Sequence, residues 1–338
     1  MLKELDFSFS GVISTDDFGP VEMQHLIADL LQMSEGLLSQ DTFIFQTSGS
    51  TGEPKSISFN RHEIVSSAKL TADFFRLEKG AKVLLALPVR YVAGRMMLYR
   101  SVINQWKLFV AMPSLNPLTD LDIAIEFAAL TPQQLAVIIE QTPEKLSLIQ
   151  TIICGGGKLD RVLNEKILEL GIAVFETYGM TETLTHVAVR ALHHGETTFH
   201  ALPGVTFSLN ENQCLVIECG HLSGAPIITQ DIVELISPVE MRWIGRNDFV
   251  VNSGGIKIYP ERVEAILSQV FDFSFYIGGV SDELLGQRLV IFVEEIPTGF
   301  NWQEMLNETE LTKYERPREM IAIGKFERTE SGKLIRKK

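Results

Sequence analysis

Thr47-Ser48-Gly49-Ser50-Thr51-Gly52-Glu53-Pro54-Lys55 brings hydroxyls, glycines and one lysine into a single short run. Hydroxyls rotate to donate to an anion, glycines let backbone N–H groups approach it, and the lysine adds positive charge, so the run is suited to holding phosphate. It is not the nucleotide loop in which Gly-Lys-Ser/Thr enters a helix, because Glu53 and Pro54 separate Gly52 from Lys55. Read alone, the same residues also suit an exposed hairpin turn. Four more clusters follow in order. They are Cys154-Gly155-Gly156-Gly157-Lys158-Leu159, then Glu176-Thr177-Tyr178-Gly179-Met180-Thr181-Glu182-Thr183, then Gly245-Arg246-Asn247-Asp248 leading to Gly254-Gly255-Ile256-Lys257-Ile258-Tyr259-Pro260, and finally Thr329-Glu330-Ser331-Gly332-Lys333-Leu334-Ile335-Arg336. A glycine triplet permits close approach to a flat ring, or simply a tight turn between a strand and a helix.

These clusters need elements to hold them. Thr42–Gln46 and Ser56–Phe59 are β-favouring runs on either side of the first loop, which therefore turns one strand into another. Apolar residues at helical spacing predict helices over 21–39 and 61–77, and helix-like segments over Asp120–Leu130, Thr131–Glu140 and Asp160–Leu170. Strand-like runs at Lys82–Pro88, Trp106–Ala111, Leu148–Cys154 and Ala173–Thr177 alternate with them, and the alternation reads as α/β. From about 197 to 244 the pattern changes to short strands, including Cys214–Glu218 and Ile232–Ser237. A helix is expected from Pro260 to about Val270, with proline at an early position and Glu261 near the positive end of the dipole. The expected organisation is a large N-terminal domain of mixed sheets and helices over 1–246 and a small mobile α+β domain over 247–338.

With 338 residues, of which 45% are hydrophobic and 22% charged, the chain can bury a sizeable core. A net charge of −13 argues against a nucleic-acid or anionic-membrane surface while leaving room for a local basic pocket. The three cysteines, Cys154, Cys214 and Cys219, match no zinc or redox spacing and fit a reducing compartment. No apolar run approaches a membrane span, and the acidic Met1–Asp6 segment does not read as a secretion signal, so a cytoplasmic location is expected.

Taken in order, the five clusters closely resemble those of the adenylate-forming superfamily of acyl-CoA synthetases, luciferases and peptide-synthetase adenylation domains, from about residue 42 to the end. The resemblance implies a two-step reaction with ATP, Mg2+ and coenzyme A. A carboxylate first attacks the α-phosphate of ATP to give an acyl-adenylate, and a thiol then displaces AMP. It further implies that Thr47, Ser48, Gly49, Ser50, Thr51, Gly52 and Lys55 fold over phosphate, and that Gly155, Gly156, Gly157, Thr177 and Tyr178 lie beside adenine. Thr181 would donate to phosphate, and Glu182 would bind the magnesium ion. Asp231 would accept from the ribose hydroxyls, although Thr229-Gln230-Asp231 departs from the family's Thr-Gly-Asp, and Arg246 would reach the ribose as well. Lys333 matches the lysine that enters the site for adenylation. Asp248 matches the hinge about which the small domain turns, bringing in a thiolation face that contains Gly254, Gly255 and Lys257.

Typical members carry a longer first subdomain before the phosphate loop, and this sequence is expected to lack most of it. A homo-oligomer is one way to cover the edge so exposed. The short architecture, with Leu87-Pro88-Val89-Arg90-Tyr91-Val92-Ala93-Gly94-Arg95-Met96-Met97, most resembles the branch of ligases acting on o-succinylbenzoate in menaquinone biosynthesis. That aromatic keto-acid has two carboxylates, so its pocket needs an apolar wall and a partner for the carboxylate that is not activated. Arg95 or Arg90 is expected to supply that partner, with Gly179, Thr185 and His186 lining the acyl site. Two other readings stand beside this one, an enzyme that loads an acid onto a carrier-protein thiol and a nucleotide-binding relic used as an interaction module.

Overall fold

A computed structural model describes residues 2–7, 21–46, 55–157, 159–297, 299–327 and 334–336. The chain divides into two compact units. Unit 1 comprises 1–158, 165–206 and 218–227, and unit 2 comprises 159–164, 207–217 and 228–338.

Unit 1 opens with β1 (Lys3–Asp6), α1 (Val21–Ser39), β2 (Thr42–Gln46), β3 (Ser56–Asn60) and α2 (Arg61–Phe75). It continues through β4 (Lys82–Leu85), α3 (Val92–Ile103), β5 (Lys107–Val110), β6 (Ile125–Leu130), α4 (Pro132–Gln141), β7 (Ile149–Cys154), the part of α5 (Arg161–Leu170) from residue 165 on, β8 (Val174–Gly179), β9 (His186–Ala191) and β10 (Phe199–Ala201). Its sheet runs β1-β5-β4-β6-β7-β8-β9-β10. The middle, β5-β4-β6-β7-β8, is parallel, while β1, β9 and β10 add antiparallel edges. Parallel strands covered on both faces are apolar on both faces. Val83, Leu84 and Leu85 of β4 and Phe127, Ala128 and Leu130 of β6 are accordingly all buried.

Residues 120–130 do not form the expected helix-like segment. Their second half is β6, paired with β4 and β7. The Ala-rich run has helical propensity, but a place in the middle of a parallel sheet outweighs that weak local preference. Over 87–103, where no element is expected, residues Val92–Ile103 form α3.

Local signals explain the other elements. α2 starts at a capping box in which the Asn60 side chain accepts from Glu63 N at 3.0 Å and Glu63 Oε2 accepts from Asn60 N at 2.8 Å. The same carboxylate reaches much further along the chain, since its Oε1 accepts from both Ser223 N and Ser223 Oγ at 2.8 Å. A second capping box, Thr131 with Gln134, starts α4, with Pro132 in its first turn. β2 and β3 form a separate antiparallel hairpin in which Gln46 faces Ser56, so the Ser/Gly/Thr-rich run does join two strands. Phe43, Phe45 and Phe59 anchor that hairpin, with Phe43 and Phe45 edge-on to Tyr99 of α3.

Unit 2 carries β11 (Val205–Leu209), β12 (Cys214–Cys219), β13 (Ile227–Ser237) and β14 (Glu240–Arg246), ordered β14-β13-β12-β11. After them come β15 (Val251–Ser253), β16 (Ile256–Ile258), α6 (Pro260–Leu267), β17 (Phe275–Asp282), β18 (Gly286–Val293), α7 (Trp302–Met305) and β19 (Glu319–Ala322). Their sheet runs β16-β15-β18-β17, with β19 parallel to β18. Val263, Ile266 and Leu267 of α6 pack with Ile277, Leu289, Ile291 and Val293 in a core of their own. α6 ends at Leu267, earlier than the expected Val270. The α/β reading holds for unit 1, and α+β describes the C-terminal part of unit 2. No helix among the described residues is long and apolar enough to cross a membrane.

Candidate active site

In unit 1, β7 delivers the glycine triplet and β8 delivers the Thr177–Thr185 segment beside it. A Cβ on Gly155 would collide with Thr177 Oγ1, and Thr177 Oγ1 in turn donates to Cys154 O at 3.3 Å. Gly156 sits at φ +84°, in the region where a side chain is strained. The two strand ends are therefore locked together by the absence of a side chain at Gly155, which is the tight-turn reading of this triplet. Tyr178 packs on Phe199 with ring centroids 5.9 Å apart. Phe199 also lies under Arg190, whose Nε donates to Glu176 Oε2 at 2.5 Å. Thr177 and Tyr178 thus sit on a strand fixed by an ion pair on one side and an aromatic contact on the other.

After Gly179 the chain turns tightly. A Cβ there would strike Thr185 O, so packing alone requires this glycine. Thr183, which sequence reasoning passed over, organises the turn: its Oγ1 accepts from Met180 N at 2.9 Å and lies 2.6 Å from Thr185 O, to which it donates. Leu184 is fully buried at φ +65°, a strained conformation for a leucine. This scaffold buries Thr181 and leaves Glu182 exposed. One exposed carboxylate suits a magnesium ion that keeps most of its waters and arrives on phosphate, so Glu182 fits that role without further protein ligands.

The arginines divide differently from the expectation. Arg95 donates from Nε to Val89 O at 3.2 Å and from Nη1 to Ile44 O at 2.9 Å, with its guanidinium 5.0 Å over the Phe45 ring. It ties the β2–β3 hairpin to α3. Arg90 stacks on Tyr91 at 4.8 Å. Arg100, which sequence reasoning missed, is 1% exposed and donates to Thr185 Oγ1 at 2.7 Å. Its Nη1 faces Met97 Sδ at 3.9 Å and its Nε has no partner among the described residues. Burial pulls its pKa down to about 9, which still leaves it charged at neutral pH. His186 adjoins it, with Nε2 3.3 Å from Thr71 Oγ1, and burial first and Arg100 second hold its pKa well below the usual range. The imidazole is therefore neutral at neutral pH. Nothing in the run Val92–Ile103, which also carries Arg95, singles out Arg100 in the sequence.

Unit 2 carries the remaining groups. Asp231 on β13 is buried, and its Oδ1 accepts from Trp243 Nε1 at 3.2 Å. Its backbone N donates to Thr229 Oγ1 at 3.0 Å. Register pairs Asp231 with Arg246 on β14. Arg246 Nη1 lies 3.9 Å from Asp231 Oδ1, while its Nε and Nη2 grip Asp248 in a two-pronged pair at 2.9 and 3.0 Å. The bond to Asp248 raises the Arg246 pKa, outweighing burial, which lowers it. Gln230, at the position where the family pattern has glycine, accepts from Asn247 Nδ2 at 3.3 Å and so braces the same turn. Gly254 and Gly255 form the two-residue turn between β15 and β16, both at positive φ, and Lys257 is exposed on β16. Lys55 is exposed just before β3. Thr47, Ser48, Gly49, Ser50, Thr51, Gly52 and Lys333 lie outside the described residues.

Residues 23–222 match the family described as AMP-binding enzyme. A 2-succinylbenzoate–CoA ligase of Bacillus pumilus is 25% identical over 346 residues, covering 88% of this chain and 68% of the relative. The crystal structure of an acyl-CoA synthetase (AMP-forming)/AMP-acid ligase II-like protein from Dyadobacter fermentans is 30% identical with a TM-score of 0.66, covering 99% of this chain and 97% of that one. The o-succinylbenzoate coenzyme A synthetase of Bacillus subtilis, solved in complex with ATP and magnesium ion, has a TM-score of 0.74 at 21% identity. That likeness covers 87% of this chain and 68% of the other, and it carries the fold alone. The match thus takes in nearly all of the D. fermentans chain and about two thirds of the B. subtilis enzyme.

Proposed function

This chain belongs to the AMP-binding enzyme family and is an AMP-forming acid–thiol ligase, and on that premise we propose that its acid is o-succinylbenzoate or a close aromatic dicarboxylate, joined to coenzyme A. The observation that carries the substrate class is Arg100. A buried guanidinium with a hydroxyl, a thioether and an unpartnered Nε is unstable as a purely structural element and suited to receiving a carboxylate. It adjoins Thr185, four residues beyond Thr181, so the same short segment serves the candidate phosphate contact and the second carboxylate. The names of the similar ligases favour the same acid.

In the first step a carboxylate oxygen of the acid attacks the α-phosphorus of ATP, the bond to the β-phosphate breaks, and pyrophosphate leaves. In the second, a thiolate sulfur attacks the acyl carbon, the bond to AMP breaks, and the thiol proton passes to solvent. Negative charge gathers around phosphorus in the first step, so preorganised donors and cations provide most of the stabilisation. Thr47–Gly52, Lys55 and Thr181 are assigned to phosphate, Tyr178 and Gly155–Gly157 to adenine, and Asp231 and Arg246 to ribose. Lys333 is assigned to the adenylation transition state, and residues 247–338 to a movement about Asp248 that exchanges Lys333 for the Gly254–Lys257 face. Glu182 would hold a magnesium ion, which supplies charge neutralisation between phosphate oxygens.

Mass spectrometry of the protein with ATP, magnesium, CoA and o-succinylbenzoate tests this reading, with benzoate, medium-chain fatty acids and amino acids in parallel. The expected result is o-succinylbenzoyl-CoA well above every other thioester. Acyl-AMP without thioester would move the acceptor to a carrier-protein thiol, and product from a different acid would overturn the substrate.

A further inference from the structure

The turn between β8 and β9 is held by one hydroxyl in its middle. Thr183 is fully buried. Its Oγ1 accepts from Met180 N at 2.9 Å and donates to Thr185 O at 2.6 Å, the other acceptor in reach, Met180 O, lying at 3.0 Å. Thr183 N donates to Met180 O at 3.2 Å and Leu184 N to Thr181 O at 2.9 Å, so Thr181 and Glu182 sit in a loop closed by backbone bonds as well. That loop is under strain. Leu184 takes φ +65° in full burial, and a Cβ on Gly179 would lie 1.9 Å from Thr185 O. A backbone in a sparsely populated conformation persists only where its surroundings over-determine it, so the shape of this turn depends on what holds Thr185.

Thr185 is held from a second side. Its carbonyl takes the Thr183 proton, while its own Oγ1 accepts from Arg100 Nη2 at 2.7 Å. An unbroken run of hydrogen bonds therefore leads from Arg100 on α3 through Thr185 and Thr183 to Met180 N, the residue before Thr181. All of it lies within unit 1. The Arg100 end is incomplete, since Nε has no partner among the described residues and Nη1 faces only the Met97 sulfur at 3.9 Å. A carboxylate on the Nε–Nη2 edge would receive two parallel bonds, and Nη2, which carries two protons, would keep one for Thr185.

We propose that Thr183 is a positioning residue that makes the two substrates bind cooperatively: a carboxylate seated on Arg100 fixes Thr185, and the Thr183 hydroxyl passes that constraint to the turn presenting Thr181 and Glu182 to magnesium and phosphate. The proposal rests on the assignment of Arg100 to the spare carboxylate and of Thr181 and Glu182 to the nucleotide. The turn is then ordered once for both ligands, and each tightens the other by the same factor. Benzoate has no second carboxylate for Arg100 and stays outside the relay.

The test is calorimetric titration of the full chain with α,β-methylene-ATP and magnesium, alone, with saturating o-succinylbenzoate, and with benzoate. Carbon replaces the oxygen that leaves with pyrophosphate, so no adenylate forms and binding is read without turnover. In the parent protein o-succinylbenzoate should lower the Kd of the analogue about 5–20-fold, and benzoate by less than about twofold. Thr183→Val keeps the shape and removes the hydroxyl, and it should cut the effect of o-succinylbenzoate to less than about twofold, while Thr183→Ser retains most of it. Thr185→Val keeps the carbonyl and removes the contact with Arg100. It should abolish the coupling from the other end, and it decides the question if Thr183→Val does not fold. Full coupling in either valine variant, or equal loss in Thr183→Ser and Thr183→Val, would overturn the proposal. If the parent binds o-succinylbenzoate with no effect on the analogue, the coupling falls and the acid assignment stands. If it does not bind o-succinylbenzoate, the acid assignment falls and takes the coupling with it.

Discussion

Two arginines have opposite surroundings. Arg100 in unit 1 is buried with a hydroxyl and a thioether beside it, whereas Arg336 in unit 2 lies between two carboxylates, a carbonyl and two aromatic rings. Burying a charge is costly unless it is paired, and removing one member of an existing buried pair is costlier still. Arg336 is thus satisfied by carboxylates within the chain, those of Glu264 and Glu261, while Arg100 has no carboxylate beside it among the described residues, which is the ground for assigning it an anionic ligand. The two sequence neighbourhoods, Met97-Leu98-Tyr99-Arg100 and Leu334-Ile335-Arg336, give no hint of that difference.

The largest expected effect comes from dismantling the satisfied pair. Glu264→Leu should lower the unfolding free energy by about 3–5 kcal/mol in denaturant titrations, because it leaves Arg336 buried with less compensation. Arg100→Met should leave stability unchanged or raise it, and a comparable loss from both variants would break the comparison. Next in size is Lys333→Ala, for which we expect adenylation to fall about 10²–10³-fold, the scale set by loss of one transition-state donor. Thioester formation from supplied adenylate should be spared, and equal loss of both steps would remove Lys333 from its role.

The binding side of the contrast is sharpened by substrates with and without a second carboxylate. Arg100→Met should lower kcat/KM for o-succinylbenzoate about 10–100-fold, the value of a hydrogen bond to a charged group. Benzoate, which has no carboxylate to spare, should change by less than about threefold. Parallel losses for the two acids would reduce Arg100 to packing. The pH dependence follows from the same residue. Burial pulls its pKa down to about 9, so below that pH the charge is present and its burial opposes folding, and that opposition is relieved as pH rises above 9 toward the ordinary guanidinium range. A carboxylate prefers the charged form, so KM for the dicarboxylate should rise by up to about tenfold per pH unit above 9, while KM for benzoate stays level over the same range. The smallest effect concerns Asp231. Trp243→Phe removes the 3.2 Å bond to Oδ1 and should raise KM for ATP by about fivefold, as expected for one hydrogen bond of about 1 kcal/mol.

Much of the fold was legible because it was signalled locally. The Asn60-to-Glu63 box, Pro132 after Thr131, and Gly254-Gly255 between two short apolar runs each mark a boundary that the chain respects. Residues 125–130 were not legible, because a short apolar run such as Ile-Glu-Phe-Ala-Ala-Leu suits a helix and a buried parallel strand alike, and only the flanking β4 and β7 decide between them. The five motifs could be found as strings of residue types. What they could not reveal was which cation each neighbourhood leaves unsatisfied. Arg95 and Arg100 are five residues apart on one helix, and the difference between tying a hairpin and facing a hydroxyl arises from Ile44, Val89 and Thr185, which lie in three other segments. Thr183 escaped notice for a related reason, since its work is confined to the turn that presents Thr181 and Glu182.

The bond from Glu63 to Ser223 has a consequence for the life of the nascent chain. Glu63 caps the helix that follows the candidate phosphate-loop hairpin, yet two of its acceptor contacts are supplied 160 residues later. At ribosomal speeds of about 5–20 residues per second, that interval is roughly 8–32 seconds. Throughout it the carboxylate must stay hydrated or be shielded by other means, so α2 reaches its final seat only after residue 223 has emerged. Synthesis that stalls before that point would release a hairpin and helix with their closing contact missing, a substrate for chaperones and proteases.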